Sequence, residues 1–207
     1  MKVLIINGSP RIDGNTTIAI NELTKTFEKE NIKAEVIQIG NKDVRGCIAC
    51  YKCYEKGKCV FDDLVNEVAQ KLKEADGLII ASPVYYAQAN GTLVSFIQRL
   101  FFSTSRTIDK TMKVGASVAV CRRGGASATF DELNKYFMIS NMPIVSSQYW
   151  NSVHGREIGE AQQDMEGLQT MRTLAKNMAF LIKSIELGKN EFGLPQKEEA
   201  IFTHFIH

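Results

Sequence analysis

Apolar and polar positions along this chain switch repeatedly between two periods. Val3 to Ile6 is a compact apolar run closed by Gly8-Ser9-Pro10, which predicts a strand over residues 2–7. From Asn15 to Glu30 the apolar positions Ile18, Ile20, Leu23 and Phe27 follow a helical pattern, and Lys33 to Ile39 alternates as a second strand. Leu64 to Ala75 is an amphipathic helix entered through Asp62-Asp63, whose negative charge suits a helix N-terminus. Gly77 to Ser82 reads as a strand, Leu93 to Phe102 as a helix, Val114 to Val120 as a strand and Ala126 to Ser140 as a helix. Pro143 to Ser146 opens a fifth strand, and Asp164 to Leu187 is a long closing helix. Strands that alternate with helices in this way predict an α/β, doubly wound, five-stranded parallel sheet with helices on both faces.

Composition narrows the partners. A chain of 207 residues with 44% hydrophobic content builds one domain with a sizeable core and leaves no room for a second catalytic domain. Lys and Arg total 25 against 23 Asp and Glu, a net charge of +2, so no basic footprint for nucleic acid is expected. The run Val3 to Ile6 is too short for a signal-peptide core or a membrane span, which places the chain in the cytoplasm with no membrane partner. Without repeats or linkers, residues 1–187 read as one domain and 188–207 as a C-terminal tail. The apolar-aromatic stretch Ile201 to Ile206 either frays or docks on a partner subunit of a homodimer or homotetramer.

The loop from Gly8 to Thr17 joins a strand to a helix, where backbone N–H groups and the helix dipole together favour an anion. A nucleotide-triphosphate loop needs Gly, four residues, then Gly-Lys-Ser/Thr; here five residues intervene and Asn15 stands where Lys should be. A dinucleotide fingerprint needs a third glycine, and only Gly8 and Gly14 are present. What remains is a loop of hydroxyls and amides, with Ser9, Asn15, Thr16 and Thr17 as donors and Arg11 as a charged lid over a phosphomonoester. That suits the single phosphate of FMN, held in flavodoxin-type proteins at the switch point between strands one and three. The plain alternative is an ordinary helix cap at Asn15 or Thr16.

With strand order 2-1-3-4-5, the segment Ser82-Pro83-Val84-Tyr85-Tyr86 lies beside that loop. Pro83 stiffens the turn, backbone groups of Val84 and Tyr85 can meet the polar edge of an isoalloxazine, and Tyr85 or Tyr86 can pack on its apolar part. Either tyrosine alone fits equally well as a helix-entry or core residue. After strand four, Gly124 and Gly125 let backbone approach a ligand closely. Arg122 and Arg123 read as solvated charges or as a grip for a nicotinamide cofactor's phosphates, and Cys121 as a buried small hydrophobe.

Asn7-Gly8-Ser9-Pro10-Arg11 with Gly14-Asn15-Thr16, followed by Ser82-Pro83-Val84-Tyr85, resembles the NAD(P)H-dependent FMN reductase branch of the flavodoxin-like superfamily across most of residues 1–185. Within that branch the cysteine run is similar to that of the iron–sulfur flavoproteins. The resemblance implies FMN bound by the residues just named, with NAD(P)H as co-substrate.

Four of the five cysteines, Cys47, Cys50, Cys53 and Cys59, stand at C-x2-C-x2-C-x5-C in one loop. Such crowding in a reducing compartment reads as a metal or redox feature. Four thiolates so close in sequence can wrap a [4Fe–4S] cluster, near the ferredoxin run C-x2-C-x2-C-x3-C-P, but the last gap is longer and Val60 replaces the proline. The iron–sulfur flavoprotein resemblance accommodates both departures. Free thiols and a zinc site remain as alternatives, zinc less suited because its pairs are usually well separated in sequence.

The leading expectation is an FMN-dependent oxidoreductase that takes electrons from NAD(P)H and passes them to a small-molecule acceptor (another flavin, a quinone) or to the cluster. The cofactor carries the chemistry, so no catalytic residue is named, and His154, His204 and His207 are too scattered for a triad. The alternative is an electron-transfer protein that exchanges single electrons with ferredoxin-like partners. A regulatory module without turnover is a minor third reading, since no effector domain exists.

Overall fold

The computed structural model describes residues 1–205. In chain order it contains β1 (Lys2–Asn7), α1 (Asn15–Lys29), β2 (Lys33–Gln38), α2 (Lys52–Lys56), α3 (Leu64–Glu74), β3 (Gly77–Pro83), α4 (Gly91–Ser103), β4 (Val114–Cys121), α5 (Ala126–Ile139), β5 (Ser152–His154), a 3-10 turn (Glu160–Gln163) and α6 (Met165–Phe192). The five strands pair in parallel in the order β2-β1-β3-β4-β5, so the flavodoxin-like architecture expected from the alternation is present.

Successive strand residues face opposite sides of the sheet, and this divides the core in two. Val3 and Ile5 of β1 with Ile79 of β3 pack under α1 and α6 against Leu23, Phe27, Leu174 and Met178. Leu4 and Ile6 with Leu78 and Ile80 pack on the other face against Val68 and Leu72 of α3, Phe96 and Leu100 of α4, and Phe137 of α5. Because β1, β3 and β4 are covered on both sides, they read as continuous apolar runs, and each fully buried Leu, Ile or Phe contributes about 1.5–3 kcal/mol. The edge strand β2 is only half covered, and its Glu35 lies 2.7 Å from both Lys2 and Lys71. Hydrogen bonds from those two lysines lower the Glu35 pKa to about 2.

The expected fifth strand is corrected. Pro143 and Val145 make a single rung with Gly115 of β4, and the paired strand is Ser152–His154, alongside Ala119 to Cys121. Between them α6 draws the chain off the sheet: Asn177 donates to the Ser146 carbonyl, Ser147 to the Thr170 carbonyl and Thr173 to the Gln148 side chain. The closing helix also carries past Leu187 to Phe192, where Gly193 ends it with φ 76°. Within the cysteine run a short helix, α2, stands where only a loop was expected. Ile206 and His207 of the expected tail motif lie outside the described residues.

Candidate functional site

Parallel strands all deliver their C-terminal loops to one edge, and the switch point between β1 and β3 opens that edge. The loop after β1 is held by its own chemistry. The backbone N–H of Ser9 donates to Asn7 Oδ1 at 3.0 Å, and that of Arg11 to Ser9 Oγ at 3.1 Å. Gln38 at the end of β2 donates to the Ser9 carbonyl, and a side chain at Gly40 would strike the backbone of Gly8 and Ser9, so β2 clamps the loop from one side.

Asn15 begins α1 behind Gly14, whose position supplies no side-chain cap. The backbone N–H groups of Asn15 and Thr16 and the Thr16 hydroxyl meet no acceptor among the described residues. These donors at a positive helix end suit a phosphate. Asn15 and Thr17, expected as phosphate donors, have side chains engaged elsewhere. Asn15 donates to the Glu157 carbonyl at 2.9 Å and accepts from the Ala161 N–H at 3.1 Å, while Thr17 donates to the Ile12 carbonyl and accepts from Asn7 at 3.2 Å. They hold the loop to itself and to the segment after β5, and Arg11 stands exposed at its rim.

The second segment forms a tight turn. Tyr85 and Gln88 exchange both backbone hydrogen bonds, at 2.9 and 3.0 Å, while Tyr86 and Ala87 between them sit at φ 53° and 59°. A non-glycine residue in this region is costly, and strain of this kind collects at functional sites. Tyr86 is 103% exposed at the tip and Tyr85 44%, so neither is a core residue. The Val84 N–H is bound to the Val120 carbonyl at 2.9 Å and that of Tyr85 to Gln88, which leaves the N–H groups of Tyr86 and Ala87 as the ones turned to no partner among the described residues.

The loop after β4 packs against this turn. Gly125 has φ 90°, and a Cβ there would lie 2.9 Å from both Ala87 Cα and a Val84 methyl. Gly124 faces open space, and Arg122 and Arg123 are exposed. Cys121 is buried at the end of β4, where burial pushes its thiol pKa up. His154, at the end of β5, donates its backbone N–H to Asp164 Oδ2 at 2.6 Å, a structural contact within the segment that leads into α6.

The cysteine segment lies beyond β2, against α4. Cys47, Cys50, Cys53 and Cys59 line one cavity together with Arg99 and Phe102, and Cys121 is not among its walls. Cys47 and Cys50 are exposed and Cys53 is buried; burial first, then the neighbouring thiols, push the Cys53 pKa up. Ala49 and Tyr51 have φ 51° and 56°, and the Ala49 N–H points to Cys47 Sγ at 3.4 Å. As placed, no three His, Cys, Asp or Glu side chains among the described residues converge closely enough for a single metal ion. A cubane makes a different demand, since its four irons take one thiolate each and the sulfurs stand around a cavity. Four thiols on one wall are the donor set such a group takes.

Several residues that shape this centre were not singled out from the sequence. Asn66 accepts from the Cys59 N–H at 2.9 Å and donates to the carbonyls of Cys59 and Phe61. Asp63 caps α3 through the Val65 N–H and pairs with Arg99 at 2.7 Å. Tyr54 stacks on Phe102 at 5.4 Å between ring centroids. The signal available was an arginine among the apolar positions Phe96, Ile97, Leu100 and Phe101 of one predicted helix.

A family model described as NADPH-dependent FMN reductase matches residues 1–157. An iron–sulfur flavoprotein of Methanocaldococcus jannaschii is 35% identical over 196 residues, covering 90% of this chain and 100% of that protein. An iron–sulfur flavoprotein of Methanosarcina thermophila is 28% identical over 193 residues, covering 92% and 100%. Among solved structures, RosB with a bound riboflavin-phosphate intermediate has a TM-score of 0.71 at 16% identity, covering 100% of this chain and 92% of that one. The flavoenzyme NAD(P)H:(acceptor) oxidoreductase of Paracoccus denitrificans has a TM-score of 0.65 at 13% identity, covering 88% and 97%. At those identities the two structures speak for the fold, whereas the family model and the sequence relatives speak for descent. This chain therefore belongs to the NADPH-dependent FMN reductase family, a family of FMN-dependent oxidoreductases, and within it to the iron–sulfur flavoprotein branch.

Proposed function

We propose that this protein moves electrons between a soluble donor and a second acceptor through FMN at the β1–β3 switch point and a [4Fe–4S] cluster on Cys47, Cys50, Cys53 and Cys59. The observation that carries this reading is the pairing of two prepared sites on one chain: an uncapped helix end beside an exposed, strained turn, and four cysteines around one cavity. When bound, FMN supplies a ring that accepts a hydride from NAD(P)H, and the cluster supplies one-electron exchange with partners. The chain's own contribution is binding and orientation. Ser9, Thr16 and the first N–H groups of α1 hold the phosphate. The turn at Pro83 to Ala87 faces the ring system, with Gly124 and Gly125 giving it room. A cavity of about 1010 Å³ lined by Phe101, Phe102, Tyr136 and Ile139, with Cys47 on its wall, supports a planar small-molecule acceptor beside the cysteine centre.

A second reading, exchange with a ferredoxin-like protein, is favoured by the surface: Cys47 and Cys50 are exposed among Lys52, Lys56 and Lys58, also exposed, which suits an acidic electron-transfer partner. Protein purified without air separates the two. Bleaching of the flavin band by NADH or NADPH supports the oxidoreductase, while reduction by ferredoxin alone replaces it with the carrier. Iron and sulfide assays test the cluster, and wild-type protein made with cluster-assembly support but holding no iron overturns it.

A further inference from the structure

Arg99 is 1% exposed, at the centre of α4, and its guanidinium can be accounted for bond by bond. Nη1 donates to Asp63 Oδ2 at 2.7 Å and to the Arg45 carbonyl at 3.4 Å. Nη2 donates to Asp63 Oδ1 at 2.9 Å and to Cys59 Sγ at 3.2 Å. The ring of Phe61 lies 4.9 Å from its carbon centre. Only Nε is left without a partner, and Arg99 forms part of the wall of the cavity that the four cysteines share. A buried guanidinium with an unmet N–H beside a cavity is expensive unless something in that cavity accepts from it.

Cys59 is the cysteine whose place the spacing explains least. Cys47, Cys50 and Cys53 follow one another at intervals of three residues, whereas Cys59 comes after α2 has ended at Gly57 and has no proline behind it. Asn66 fixes its backbone and Arg99 its sulfur, and Asp63 fixes Arg99.

We propose that Arg99 is a positioning residue that holds Cys59 Sγ as the fourth ligand and, through its charge, favours the reduced state of the cluster. This rests on the cluster reading above. A cluster that gains one electron gains one negative charge, and a cation hydrogen-bonded to a ligand sulfur stabilises that added charge while itself staying protonated. Asp63, bonded to the same guanidinium, offsets part of the effect. The two residues are therefore opposed in sign.

Wild type, Arg99→Gln, Arg99→Lys and Asp63→Asn, each purified anaerobically as the full chain with FMN, are assayed for iron and sulfide and titrated for the midpoint potentials of cluster and flavin. Arg99→Gln should shift the cluster's one-electron equilibrium towards the oxidised form by roughly tenfold, about 59 mV lower. Asp63→Asn should shift it the opposite way, and Arg99→Lys, which keeps the charge and loses the forked geometry, should stay near the wild-type potential while retaining less iron. The flavin potential should move in none of them. An unchanged cluster potential in both Arg99→Gln and Asp63→Asn overturns the proposal, as does an equal shift in the flavin. If Arg99→Gln fails to assemble iron, Asp63→Asn decides: a potential that stays still or falls overturns it. Iron-free wild type removes the cluster reading and this inference together, an outcome distinct from a loaded cluster that ignores Arg99.

Discussion

The switch-point edge and the cysteine segment are held in place by different means. At the edge, β1, β3 and β4 run out in register and set where their loops start, and those loops are then fastened both by near neighbours, such as Ser9 to Asn7 and Tyr85 to Gln88, and by distant ones, such as Asn15 to Glu157 and Ala161. The segment from Gly40 to Asp63 belongs to no strand or long helix. Its last cysteine is fastened by side chains from elsewhere, including Arg99, forty residues on. A site at the end of a parallel sheet inherits its geometry from the fold, so single substitutions there should tune it. A site hung on a surface segment depends on a few long-range contacts and should fail more sharply.

The largest expected effect tests that sharpness. Cys50→Ala or Cys53→Ala should lose nearly all iron and keep FMN, while Cys121→Ala keeps both, because Cys121 is outside the shared cavity. Parallel loss of flavin in either variant, by flavin absorbance after gel filtration, would mean the two regions are not separate. Next comes Gly125→Val, which forces a branched side chain into φ 90° and into Val84 and Ala87. A cost of about 1–3 kcal/mol should weaken FMN binding roughly 10–100-fold with iron unchanged. Fluorescence titration of the flavin checks this.

Thr16→Ala should act more mildly, about tenfold in FMN affinity, as loss of one hydrogen bond to a charged oxygen. Asn15→Ala, by contrast, should loosen the contact to residues 157–161 and show itself in faster amide exchange there. An Asn15 variant that loses FMN with no change in that segment would return its amide to the phosphate.

The smallest effect touches neither region and calibrates both. Glu35 has a folded pKa lowered to about 2, so its contribution to stability is present above the ordinary carboxylate range near 4.5 and fades as pH falls towards 2. The stability difference between wild type and Glu35→Gln should be at most about 1 kcal/mol at neutral pH, given the pair's partial exposure, and should vanish near pH 2 in urea unfolding. A difference that grows on acidification contradicts this assignment.

Periodicity alone placed β1, α1, β2, α3, β3, α4, β4 and α5 to within a few residues, because the two-sided burial of the sheet writes itself into runs such as Val3 to Ile6 and Gly77 to Ala81. It also marked the loops that converge and the cysteines that crowd, since a loop's place at a strand end and a spacing of two residues are local properties. The tertiary structure decided which polar groups are still free once the chain has folded. Asn15, Thr17 and the Val84 N–H looked available and are bound within the protein, whereas Tyr86 and Ala87 keep theirs. It likewise set the fifth strand at Ser152, where the chain runs alongside Ala119 to Cys121, and brought Arg99 to Cys59. Hydrogen bonds are claimed by whichever partner arrives in three dimensions, and a linear pattern carries no record of that competition.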